Sequence, residues 1–75
     1  MAEDRLMSLP TFWERNQVSK TTYYYLKRLG RGPRETIIGT KVAISPEDEA
    51  AWRHAMAERP VVGSLRKLVE AAEAA

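Results

Sequence analysis

The segment Asn16-Gln17-Val18-Ser19 constrains this chain more than any other. Before it, Leu6, Leu9, Phe12 and Trp13 recur at helical spacing, with Ser8 as N-cap and Pro10 and Thr11 in the first turn. That pattern predicts a short first helix over residues 9–16, ended by Asn16 and Gln17. After it, Ser19 is the natural N-cap of a second helix over residues 20–29, and Gly30 supplies a C′ stop. Two short helices joined by only about three residues make a helix-turn-helix.

The remainder reads in the same way. Arg31-Gly32-Pro33 is a turn, and Arg34-Glu35-Thr36-Ile37-Ile38 is a β-branched run. Gly39-Thr40 breaks that run, and Lys41-Val42-Ala43-Ile44 follows with Val42 and Ile44 on one face, so a β-hairpin is expected. Ser45-Pro46-Glu47-Asp48 is a helix start, with a Ser cap, Pro at N1 and acids in the first turn. The third helix is expected over residues 46–58, with Trp52, Ala55 and Met56 on its buried face. Ser64 caps a final helix over residues 65–74 whose stripe is Leu65, Leu68, Val69 and Ala72. The fold class is therefore mainly α with a small β-hairpin: a winged helix-turn-helix plus a C-terminal helix. Residues 1–60 form the expected winged helix-turn-helix domain. Residues 61–75 form an element that folds back on the core or pairs with another chain.

Size and composition narrow the function. At 75 residues the chain is one domain at most. A chain of that length buries only about 60% of its unfolded surface, which leaves little room for a deep substrate pocket. Cysteine is absent, so neither disulfides nor thiolate metal sites are expected. Met1-Ala2-Glu3-Asp4 does not open a secretory signal, and no segment approaches the roughly 20 apolar residues of a membrane span. The expectation is a cytoplasmic protein without cofactor, metal or small-molecule ligand. It carries no Gly-rich phosphate loop, nucleophile–base pairing or metal-ligand spacing, so catalysis is not expected. Glu47, Asp48 and Glu49 are read as helix N-terminal charges, and His54 is given no role.

The net charge is only +2, but its distribution is uneven. Between residues 15 and 45, Arg15, Lys20, Lys27, Arg28, Arg31, Arg34 and Lys41 face Glu35 alone, while both flanking stretches are net acidic. A basic centre on a helix-turn-helix is the footprint of a polyanion partner, here double-stranded DNA. On the second helix Thr22, Leu26 and Leu29 form the inward stripe, joined by Val18, with Tyr23 at its border. Ser19, Lys20, Thr21, Tyr24, Tyr25, Lys27 and Arg28 are the candidate DNA-reading residues. Thr21 can bond a base or place its methyl on thymine; Tyr24 and Tyr25, expected to be exposed, can reach phosphates or stack along sugars. Arg31 and Arg34 would grip phosphates at the hairpin base, and Thr40 and Lys41 would approach the backbone or minor groove at its tip. Phe12, Trp13 and Trp52 are assigned to the core.

These residues also carry a family resemblance. Val18-Ser19-Lys20-Thr21-Thr22-Tyr23-Tyr24-Tyr25-Leu26, then Gly32-Pro33, Gly39-Thr40-Lys41-Val42-Ala43-Ile44 and Glu47-Asp48-Glu49-Ala50-Ala51-Trp52 resemble the AlpA-type and excisionase-like small winged-helix proteins, which are related to the MerR-family DNA-binding domain. The resemblance spans residues 5–58. It implies a bacterial or phage origin, DNA binding, and a role as a small transcriptional regulator or a recombination directionality factor. The chain departs from the pattern at Tyr25, where the family usually has a basic residue, and in the final helix, which lies outside the match. The residues that carry the resemblance imply no ligand sensing of the MerR kind. If the final helix pairs with another chain instead of folding back, homodimerisation or cooperative assembly through residues 64–74 would enlarge the limited contact area of one such unit, with half-sites about one helical turn apart. Two other readings stand beside this one: the DNA-recognition domain of a phage packaging assembly of the small-terminase kind, and a winged-helix protein-interaction module that binds no DNA.

Overall fold

A computed structural model describes residues 5–74. The acidic opening Met1-Ala2-Glu3-Asp4 and the terminal Ala75 lie outside the described residues. The chain is mainly helical with a small antiparallel sheet. In order it forms β1 (Met7–Ser8), α1 (Leu9–Asn16), α2 (Lys20–Arg28), β2 (Thr36–Ile38), β3 (Lys41–Ile44), α3 (Pro46–Glu58) and α4 (Leu65–Ala74).

Serine starts every helix. Ser8, Ser19, Ser45 and Ser64 accept from the backbone N–H of Thr11, Thr22, Asp48 and Lys67 respectively, each satisfying one orphan donor of a first turn. The ends are equally local. Past α2, Gly30 takes φ 72; its N–H bonds the Lys27 carbonyl and the Arg31 N–H bonds the Leu26 carbonyl. This is the Schellman closure. The same pair of bonds closes α1, from Gln17 to Glu14 and from Val18 to Trp13, although Gln17 must take the left-handed φ 55 without the freedom of glycine. Gln17, Val18 and Ser19 are thus the whole connection between the two helices, and Val18 turns inward against the core.

The sheet has the order β1-β3-β2. The hairpin is present, with Ile38 opposite Lys41 across the two-residue turn Gly39-Thr40, and Gly39 takes φ 64. Two expectations are corrected here. The β-branched run from Arg34 pairs only from Thr36 onward, because Glu35 turns toward α2. The hairpin is also extended by a strand that the pattern did not indicate: Met7 and Ser8 pair with Ile44 and Ala43. Two residues are too few to show a period, and their pairing depends on a partner distant in sequence.

Phe12, Tyr23 and Ile44 form the centre of the core, with Met7, Leu9, Trp13, Val18 and Trp52 packed around it. Phe12 meets Tyr23 and Trp52 edge-on at ring-centroid distances of 5.8 and 5.1 Å. Tyr23 is therefore a central residue rather than a border one, at 1% exposure. Two further expectations fail on α3. Ala55 is exposed, and Glu49 is buried at 4%. The inward face runs through Glu49, Trp52 and Met56, so the helix is rotated relative to the apolar pattern. Glu49 can be buried because Arg15 donates two bonds to its carboxylate, at 3.0 and 2.9 Å, and Asn16 donates a third at 2.9 Å. These bonds, with that to Arg15 foremost, hold the Glu49 carboxyl below the usual carboxylate range against the opposing effect of burial. Glu49 is thus the tie between α1 and α3 as well as a first-turn acid.

The final helix folds back. It packs against α2 and buries Val69, while Leu68 remains 37% exposed.

Candidate nucleic-acid interface

The interior of α2 fixes which way its other side points. Tyr23 and Leu26 are buried, Thr22, Tyr25 and Leu29 are half-buried, and Lys20, Thr21, Tyr24, Lys27 and Arg28 are exposed. Lys20, Tyr24 and Arg28 stand at i, i+4 and i+8, so they form one row along the helix. Lys20, Thr21, Tyr24, Tyr25 and Arg28 surround a shallow concavity of about 260 Å³. Tyr25 lies at its edge; it is half-buried rather than exposed as the helical wheel predicts.

Tyr24 is held more firmly than a surface tyrosine. Its ring stands edge-on to Tyr23 at 5.4 Å and to Trp13 at 6.3 Å, and the Lys27 ammonium sits 5.9 Å from its centroid. Its exposure is 39%. The result is a rigid aromatic plane flanked by cations.

The basic residues fall into two groups. Several are engaged within the chain. Lys27 Nζ lies 3.1 Å from Glu35. Arg28 approaches Glu73 of α4 at 4.0 Å, with both side chains largely in solvent, a geometry of little energetic consequence. Arg15 holds Glu49. Arg31, expected as a phosphate clamp, instead donates to the Arg59 carbonyl and to Met56 Sδ, and its own carbonyl accepts from Trp52 Nε1 at 2.9 Å. It ties the α2–β2 loop to the end of α3. The second group, Lys20, Arg34 and Lys41, is exposed and forms no ion pair among the described residues. Thr40 and Lys41 are exposed at the hairpin tip, and Ser19 acts as the α2 cap, its hydroxyl donating to Thr22 Oγ1 at 2.9 Å.

Two features of this surface escape a reading by periodicity. Ile37 and Ile38 on the edge strand β2 are 66% and 59% exposed, and Leu6, Ile38, Val42 and Ala43 line an apolar concavity on the sheet. Glu35, which sequence reasoning registers only as the single acid of the basic stretch, accepts from the Tyr23 hydroxyl as well as pairing with Lys27. Burial, and then the bond to Glu35, hold the Tyr23 hydroxyl above its ordinary pKa. The signal for both was the chemistry of a lone opposite charge and an apolar run at a strand edge, not spacing.

No group of metal-ligating side chains occurs among the described residues. No described helix is long and apolar enough to cross a membrane. Comparison with protein-family models, with curated proteins and with solved structures found no match to this chain.

Proposed function

We propose that this protein binds double-stranded DNA as a winged helix-turn-helix, with α2 in the major groove and the β2–β3 hairpin as a wing on the backbone or minor groove. One observation carries the reading. Lys20, Thr21, Tyr24, Tyr25 and Arg28 gather on the outer side of a helix whose inner side is fixed in the core. A helix so held presents its side chains to a groove without reordering, which lowers the cost of binding. Lys20 and Arg28 reach guanine or phosphate, Thr21 a base edge, and Tyr24 the sugar-phosphate wall. Lys41, Thr40 and Arg34 contact the backbone from the wing. The physiological role is that of a small transcriptional regulator or an excisionase-like directionality factor.

Titration of a random-sequence duplex at two salt concentrations tests this. About four phosphate contacts give a slope of log K against log salt near −3 to −4. The reading of α2 fails if the Lys20→Ala, Arg28→Ala double variant retains full binding.

The apolar concavity beside Ile38 supports a second reading, a module that docks on another protein and binds no DNA. A pull-down that captures a protein partner, together with salt-insensitive or absent duplex binding, would favour it.

A further inference from the structure

We propose that Glu35 is a positioning residue that locks the root of the hairpin to α2 and, through Lys27, holds Tyr24 on the outer face of that helix. The inference rests on the DNA-binding reading for its consequence, but its structural half stands independently.

The chemistry of Glu35 is unusual for its place. It is the only acid among residues 15–45, where it lowers the positive charge that a polyanion partner would meet. Its side chain is only 12% exposed. It sits immediately before β2, at the point where the chain leaves the α2–β2 loop. From there it takes two donors of α2: the Tyr23 hydroxyl and, at 3.1 Å, the Lys27 ammonium. Lys27 in turn lies over the Tyr24 ring. The two neighbours on α2 are therefore held through the same carboxylate, one from the core side and one from the outer side.

At the base of the hairpin, β3 pairs with β1 through Ala43 and Ile44, and Glu35 ties the start of β2 to α2; toward the tip the residues stand in solvent. Ile37, Ile38, Gly39, Thr40 and Lys41 are exposed, and β2 is an edge strand with β3 as its one neighbour. The angle between hairpin and α2 thus depends on its root. A charge-assisted bond there sets that angle more tightly than a neutral one. On this account Lys27 is an anchor for the hairpin and for Tyr24, and DNA contact falls to Lys20, Arg28, Arg34 and Lys41.

The test uses Glu35→Gln, which keeps the shape and an acceptor for Tyr23 but loses the ion pair, and Tyr23→Phe as a second variant of the same link. Both are first checked for a cooperative thermal transition. Amide hydrogen exchange then reads the hairpin without DNA: exchange in β2 and β3 rises about tenfold in each variant, while the amides of α1 do not change. Hairpin protection in both variants equal to that of the intact protein would overturn the locking role. Binding to a random-sequence duplex reads the consequence. Lys41→Ala weakens the intact protein about fivefold and the Glu35→Gln protein less than twofold, since an unlocked tip no longer makes its contact. Additive effects of the two substitutions overturn the positioning role. Lys27→Gln raises hairpin exchange as Glu35→Gln does; retained hairpin protection with a salt slope lower by about one assigns Lys27 to phosphate and overturns the anchor. If the intact protein binds no duplex, the DNA reading fails, and the exchange data still decide whether Glu35 locks the hairpin.

Discussion

Helix α2 and the β2–β3 hairpin carry the candidate contacts between them, yet they are held in opposite ways. The helix is fixed along its length. Ser19 caps one end, a Schellman closure ends the other, Tyr23 and Leu26 are buried, and α4 lies along one flank. The hairpin is fixed at its base alone. Ile44 is fully buried, but Ile37 and Ile38, a few residues away across the turn, stand mostly in solvent. Burial therefore decreases from the core through α2 to the hairpin tip. On the proposed DNA-binding reading, a reading element gains from being fixed, because wrong sequences then cannot be accommodated. A clamp on the backbone gains from limited freedom, because phosphates occur at every step.

The contrast can be broken first by truncation. Tyr23→Ala or Leu26→Ala costs about 3–5 kcal/mol, enough to unfold a domain of this size, whereas Ile38→Ala costs under about 0.5 kcal/mol. Chemical denaturation compares them, and similar costs for the two sites would abolish the distinction. DNA affinity separates the regions next. Losing Lys20 and Arg28 together lowers duplex affinity by about tenfold or more and reduces the salt slope by about two. Losing Arg34 and Lys41 together gives a smaller fall, read by the same titration.

The pH dependence of stability sharpens the comparison further. Glu49 has a lowered folded-state pKa, so its contribution is present above the ordinary Glu range and is lost as pH falls below about 4 toward the lowered value. Tyr23 has a raised one, so its contribution is present below about 10 and is lost as pH rises above that. Thermal melts should thus weaken at both extremes. Glu49→Gln should flatten the acid side alone, and Tyr23→Phe the alkaline side alone. The smallest effect belongs to the turn that sets the crossing of α1 and α2. Gln17→Gly relieves a left-handed φ of 55 and should stabilise by about 0.5–1 kcal/mol. A loss of stability there would show that the Gln17 side chain contributes more than its backbone costs.

Much of the local structure was legible in advance. Each helix start was visible as a serine, and Gly30 marked the end of α2, because caps and closures use side chains within a few residues of the groups they satisfy. Gly39-Thr40 marked the hairpin turn for the same reason. The outward row Lys20, Thr21, Tyr24 and Arg28 followed from a period of 3.6 residues once Leu26 was taken as inward. What the period could not decide was the width of the buried face. Tyr23 proved central and Tyr25 half-covered, because neighbouring elements determine where a helix surface stops being surface.

The sequence by itself determined the four helices and the hairpin in their order, though not β1; it also determined their boundaries to within a residue or two and the concentration of positive charge at the chain centre. Tertiary structure alone decided how that charge is used. Arg15 turned to Glu49, Lys27 to Glu35 and Arg31 to the end of α3, while Lys20, Arg34 and Lys41 stayed exposed. The reason is physical. A cap or turn is satisfied by residues adjacent in the chain, whereas a long cationic side chain takes whichever carboxylate or carbonyl the fold brings within reach, and those partners lie 34, 8 and 28 residues away.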